Sequence, residues 1–276
     1  MSDTSNRQTR VAFMAMMLAL ALHGCERPAE DTPDTVAQLF AGELEVIDLT
    51  HALSSTTPYW PSPNGNPFIH DTLRAHADGS PAMAAYSTPE HHGTHLDAPV
   101  HSAEGQPSVD RLTSDDLFGP AAVIDISAQS AADPDYSVTV ADVEAWELEH
   151  GRIPPGAIVL LYTGWAEKYT DLVAYPNLDD EGTLHFPGFS AEVGRLLVNE
   201  RDIRGIGIDD LSIDPGAGPG FPVHGIVNGS GKFHLENVAN LGRVPAVGAY
   251  VIVAPIKIEG GSGGQVRIFA VLPGTS

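Results

Sequence analysis

The sequence predicts a single α/β domain, a mixed β-sheet with flanking helices, and three observations predict it. Short apolar runs of strand length alternate with two amphipathic helical segments along the chain. The 276 residues are 42% hydrophobic, enough to build one sizeable core. The 28 glycines and 22 prolines mark many turns, which suits an α/β or β-rich enzyme better than a helical bundle. A formal charge of −22 argues against nucleic acid as a partner, because its phosphates repel such a surface.

In chain order, Arg7 and Arg10 precede the apolar run Val11 to Leu22. A membrane-spanning helix takes about 20 apolar residues, so this shorter run, followed by Gly24, reads as a secretory signal over residues 1–24. The only cysteine, Cys25, stands after "LHG", where a bacterial lipoprotein signal places its lipidated residue. The expectation is an exported, periplasmic protein that meets a membrane only through a lipid on Cys25. One cysteine leaves no internal disulfide. Residues 25–40, acidic and proline-bearing, read as a flexible tether, and 41–276 as the folded domain with no internal linker.

Within the domain, "LEVIDLT" (44–50) and "AAVIDIS" (121–127) read as strands, with a turn-rich stretch at 54–67 between them. "TVADVEAWELEHG" (139–151) predicts a helix capped by Thr139 and stopped by Gly151, with Val140, Val143, Trp146 and Leu148 as its apolar side. "AIVLLYTG" (157–164) is a continuous apolar run of buried-strand type. "SAEVGRLLVNE" (190–200) predicts a second helix, capped by Ser190. "IRGIGID" (203–209), "AYVIVAPIKI" (249–258) and "VRIFAVL" (266–272) read as further strands.

The chemistry gathers in "HHGTHLDAPVH" (91–101). Gly93 and Pro99 disfavour a helix there. In an extended chain His91, His95 and Asp97 share one face and His92 takes the other. His95 and Asp97 would then lie about 7 Å apart, but His91 about 13 Å from His95. That is too far for two imidazoles to share one ion at about 2.1 Å. A bend at Gly93–Thr94 is therefore expected. Two imidazoles and a carboxylate suit a borderline divalent ion such as zinc, manganese or iron, and the second oxygen of Asp97 can bridge to another ion. His101, past Pro99, has an unperturbed pKa near 6.5 that suits general acid–base work.

Other motifs read more plainly. Asp209, Asp210 and Asp214 form an acidic cluster expected to shape a turn, and "EGGSGG" (259–264) a hairpin-like turn. His51, His70, His76, His150 and His234 have no partner by spacing and are assigned to the surface or to supporting positions, with His185 a faint supporting candidate. On sequence alone, "PVHG" around His224 is an ordinary loop, and Glu236 is a residue at the N-terminus of a helix ahead of "NVANL".

The pattern His91-x3-His95-x-Asp97-x3-His101 resembles the signature of the metal-dependent cyclase family, whose members include bacterial kynurenine formamidases and isatin hydrolases. The likeness continues in the family's order through "VLLYTGW" (159–165), "GIGIDDLSID" (205–214), "FPVHGIVN" (221–228), "LENVANL" (235–241) and the segment 247–273. It implies a barrel-like, swivelling β/β/α fold and a homodimer or larger assembly. It also implies one or two divalent ions per subunit, zinc first and manganese second. His91, His95 and Asp97 would hold the first ion, and His224 and Glu236 would complete the second site with Asp97 as bridge. His101 would move the proton, and Trp60 would line the pocket of a small-molecule substrate. An acid at position 236 leans toward the formamidase arrangement, whereas "SPNGNP" (62–67) departs from the formamidase turn.

The expected reaction is metal-dependent hydrolysis of a carbon–nitrogen bond, arylformamidase-like, with an isatin-hydrolase-like lactam reaction as the alternative. Tryptophan breakdown through kynurenine is ordinarily cytoplasmic, so an exported member points to a reaction class rather than to a named substrate. A periplasmic metal-binding lipoprotein without turnover would explain the ligand set, but gives no use to His101 or Trp60.

Overall fold

The computed structural model describes residues 35–61, 68–77 and 79–274. The signal, Cys25, the first part of the tether and "SPNGNP" lie outside them. The chain divides into two compact units, Met1–Glu43 and Leu44–Ser276. In the first, helix α1 (Thr35–Ala41) occupies the end of the stretch expected to be tether. "TVAQLFA" has no glycine or proline to interrupt a helix; the prolines of the tether lie upstream of it, and Gly42, with φ 72°, follows its end.

The second unit is built on β1 (Val46–Asp48), β4 (His95–Asp97), β5 (Phe118–Asp125), β7 (Ile158–Tyr162), β9 (Gly205–Ile208), β10 (Phe233–Glu236), β11 (Tyr250–Pro255) and β12 (Gly263–Val271). They hydrogen-bond in the order β1-β12-β11-β5-β7-β9-β10-β4, and β4 also pairs with β12, so all but β1 close into a barrel-like ring. β5, β7, β9 and β10 run parallel, and the remaining pairs are antiparallel. Two pairs stand apart: the hairpin β2 (Ile69–Arg74) with β3 (Met83–Ser87), and β6 (Ser137–Val138) with β8 (Gly188–Phe189).

Alternation along the strands sorts two apolar cores. Leu96, Ala121, Val123, Ile158, Leu160, Leu235, Val251 and Ile268 fill the ring. Their alternates Ala122, Ile124, Val159, Leu161, Ile206 and Ile208 pack outward. On β9 the inward positions are Gly205 and Gly207, because a Cβ there would stand 2.7 Å from the Phe233 ring or 2.8 Å from Leu160.

Six helices occur among the described residues: α1, α2 (Ser114–Leu117), α3 (Ser127–Ala132), α4 (Val140–His150), α5 (Ala191–Glu200) and α6 (Pro222–Gly229). Thr139 and Asp142 form a reciprocal cap on α4, and the Ser190 side chain accepts from the Val193 amide to start α5. Val143 and Trp146 of α4, Val193 and Leu197 of α5, and Val223 and Val227 of α6 cover the outer core. Leu148, expected on the apolar side of α4, is 89% exposed. It follows Trp146 by two positions, about 200° around the helix, and so turns to solvent.

Candidate metal centre

The site grows from strand register. β4 lies between β10 and β12, with His95 opposite Glu236 and Asp97 opposite His234. Cross-strand partners share a face. Leu96 and Leu235 point into the ring, so His95, Asp97, His234 and Glu236 all project outward, under α6. His224 comes from α6, whose first turn is capped by Asp214. That carboxylate accepts from the amides of Val223 (2.8 Å) and His224 (3.1 Å) and from His224 Nδ1 (2.7 Å). The expected bend is present: Gly93 has φ 66°, and the rings of His91 and His95 come to 5.4 Å.

Asp97 is the hub. Its Oδ1 lies 2.6 Å from His91 Nδ1 and 3.0 Å from His95 Nε2. Its Oδ2 lies 2.9 Å from His234 Nε2, 3.4 Å from His101 Nε2 and 3.7 Å from His224 Nε2. Glu236 adds Oε1 at 3.4 Å from His224 and Oε2 at 3.5 Å from His95, and accepts the Ile213 amide at 3.1 Å. Two donor groups share Asp97: one with His224, His234 and Glu236, all buried, the other with His91 and His101.

Every residue assigned a ligand or proton role from the sequence is therefore brought to one place. His224 sits on a helix rather than in a loop, and Glu236 ends a strand rather than opening a helix. His234 corrects its assignment: it is fully buried in the cluster. The signal was present in "FHLE", whose alternation puts His234 on the face of Glu236. His185 bonds Asp135 and Asp179 (2.9 and 3.1 Å) and does not line the cleft. The acidic trio is structural, as expected, with Asp209 accepting from Thr163 and Asp214 holding His224.

Burial opposes charge throughout the cluster, and the neighbours decide the outcome. For His95 burial is overcome by Asp97 and Glu236, which raise it to about 9. Burial resists the charge on Asp97, but His234 and His95 hold its carboxyl well below the usual range. Burial and then Asp97 push Glu236 up to about 7, against His224 and His95. Burial lowers His101 to about 4, Asp97 opposing, so its imidazole is the free base at neutral pH.

The donor set fits a divalent cation. His95 Nδ1 is held by the Gly93 carbonyl at 2.9 Å, which leaves Nε2 facing the carboxylates, and the buried Nε2 atoms of His95 and His234 have no aligned hydrogen-bond partner. Such imidazole–carboxylate sets with outer hydrogen bonds are those of zinc and related ions.

Above the cluster opens a cleft of about 200 Å³, walled by Pro58, Tyr59, Trp60, Leu211 and Phe221. Trp60 stands 5.6 Å from Phe221 and 6.1 Å from Phe186, ring to ring, and is 43% exposed, at the mouth.

Known proteins share this plan. The family described as "Putative cyclase" matches residues 47–215. The isatin hydrolase of Roseibium aggregatum is 36% identical over 252 residues, which cover 86% of this chain and 95% of the relative. The kynurenine formamidase of Salinibacter ruber is 26% identical over 226 residues, covering 81% and 96%. Among solved structures, isatin hydrolase A from Ralstonia solanacearum matches with a TM-score of 0.82 at 33% identity, covering 91% of this chain and all of that one. The family match over most of the chain and the 36% identity to a relative covered almost end to end place the chain in this cyclase family, among relatives that are hydrolases.

Proposed function

We propose that the protein is a metal-dependent hydrolase of an aryl carbon–nitrogen bond, a cyclic aryl amide of the isatin type first and an aryl formamide second. The observation that carries it is a histidine–carboxylate cluster at the base of a small cleft walled by aromatic rings. The greater identity to an isatin hydrolase favours the cyclic amide, and Glu236 keeps the formamide reading in view.

His91, His95 and Asp97 would hold one ion, and Asp97, His224 and Glu236, with His234 beside them, a second. The two oxygens of Asp97 face different sets of imidazoles, which supports the bridging role. The nitrogen-rich donor set favours zinc, with manganese next. When bound, such an ion acts as a Lewis acid and lowers the pKa of water from 15.7 toward about 7. His101 Nε2, as free base, takes a proton from the attacking water while the new carbon–oxygen bond forms. It then gives that proton to the nitrogen as the carbon–nitrogen bond breaks, leaving an acid and an amine. Trp60, Tyr59 and Phe221 would hold the substrate's aryl ring.

The test is a panel of aryl formamides and cyclic aryl amides, isatin included, offered to protein supplied with zinc or manganese. Wild type should turn over at least one class, and His101→Ala should do so about 10²–10⁴-fold more slowly while keeping its metal. Metal binding with no hydrolysis by wild type would overturn the reading in favour of a metal carrier.

Two properties accompany the proposal. The signal-like residues 1–24 support export to the periplasm with lipidation at Cys25, and Cys25→Ser would then move the protein from the membrane fraction to the soluble one. The β2–β3 hairpin, exposed on both faces, supports assembly with a second copy.

A further inference from the structure

The glycine-rich stretch 259–264 has more than a turn to make. Gly263 and Gly264 pair with Asp97 and Leu96 of β4, so the segment runs directly behind the first ligand histidine. A Cβ on Gly263 would stand 2.6 Å from His91 Cε1. His101 packs against the same ring at 3.9 Å between centroids. The Ser262 hydroxyl lies 2.8 Å from His91 Nε2. Both the amide and the hydroxyl of Ser262 donate to Glu90 Oε2, at 2.9 and 2.6 Å.

The direction of this chain follows from counting hydrogens. A carboxylate only accepts, so the hydrogen in the 2.6 Å contact is the one on Ser262. A hydroxyl has one hydrogen, so toward His91 Ser262 can only accept. His91 must then carry hydrogen on Nε2, and Nδ1, which meets the Asp97 carboxylate at 2.6 Å, is the nitrogen whose hydrogen a bound ion would replace. His95 and His224 are arranged the other way round, with Nδ1 held by the Gly93 carbonyl and the Asp214 carboxylate and Nε2 turned inward. His91 offers the opposite nitrogen and needs a device on the opposite side.

We infer that Glu90 and Ser262 form a positioning relay that fixes the hydrogen of His91 on Nε2 and so selects Nδ1 as its metal-facing atom. The inference rests on the metal-centre reading above. It predicts that replacing either relay member weakens the metal although neither touches it. Glu90→Leu is the sharper change, because Glu90→Gln keeps an oxygen that can accept both Ser262 hydrogens. With no acceptor at position 90, the Ser262 hydroxyl can turn its hydrogen to His91 Nε2 and set the ring's own hydrogen on Nδ1, against the metal.

The experiment has two arms. In zinc titrations against a competing chelator, Ser262→Ala and Glu90→Leu should each bind about 10–100-fold more weakly, while Ser262→Thr, which keeps the hydroxyl, stays near wild type. In zinc-loaded wild type, nitrogen-15 spectra of the His91 ring should show hydrogen on Nε2 and none on Nδ1. A zinc-loaded spectrum with hydrogen on Nδ1, or a folded Ser262→Ala that binds zinc like wild type, overturns the relay. Wild type that binds no divalent ion would sink the metal centre and the relay with it.

Discussion

Asp97 sets the chemistry of every residue near it, because it is buried and imidazoles approach both of its oxygens. His101 differs from the others: it sits nearer the rim, 3.4 Å from Asp97 Oδ2, and burial leaves it neutral at neutral pH. His101→Ala should therefore lower kcat by about 10²–10⁴-fold and leave the divalent-metal content unchanged by elemental analysis. An unchanged kcat would remove it from the proton path. Asp214 acts at one remove. In Asp214→Asn one oxygen can still cap α6, but the amide hydrogens then meet His224 Nδ1–H, so metal affinity should fall about 10–100-fold in chelator competition. A variant as tight as wild type would show that the ring needs no such support. Of these residues the motif made His91, His95, Asp97 and His101 legible. Asp214 was visible only as one acid among three, because nothing in its spacing says that α6 begins eight residues later with its amides on that carboxylate.

At the scale of elements, α4 and α5 were legible because caps and periodicity are local: Thr139 and Asp142 start α4, and Ser190 starts α5. The shorter α1, α2, α3 and α6 span about two turns or less and carry too little periodicity to be read. Ring closure was not, because β4 is only His95–Asp97 and its two partners lie far off in the chain. His234 was missed in part for the same reason: the alternation of "FHLE" puts it on the face of Glu236, but only the pairing with β4 brings that face to Asp97. One ion pair ties the helical layer together. Arg201, just past α5, grips Glu147 of α4 through Nε–Oε1 at 2.7 Å and Nη2–Oε2 at 2.9 Å, and Glu147 also accepts the Ile153 amide. The Arg201 hydrogen bonds hold the Glu147 carboxyl below its ordinary value. A carboxyl depressed by folding stabilises the fold above its unfolded pKa, and that contribution is lost as pH falls through the folded value. Glu147→Gln should thus cost about 2 kcal/mol at neutral pH, measured by urea unfolding. The gap to wild type should close as the solution is acidified below the ordinary carboxyl range. A gap that is constant with pH would mean that packing, not the charge, holds α4 to α5.

For the whole molecule, the formal charge of −22 makes two copies repel unless they meet through a surface free of net charge. The β2–β3 hairpin is such a surface. Its strands, "IHDTLR" and "MAAYS", contain one aspartate and one arginine, and every residue in both is exposed. Ile69, Leu73, Met83 and Tyr86 are each more than half exposed. A two-stranded hairpin is marginal in water when nothing covers a face, so the hydrophobic area and the lack of net charge favour a second copy of this chain as the cover. In sequence the hairpin lies between Trp60 at the cleft mouth and His91 in the centre, so covering it would also steady the segments that flank the site. Wild type should run as a dimer or larger in light scattering at micromolar concentration. The double variant Leu73→Glu, Tyr86→Glu puts four like charges across a two-fold contact and should run as a monomer with its circular dichroism intact. Wild type that is already monomeric, or a double variant that stays associated, would show that the hairpin is not the interface.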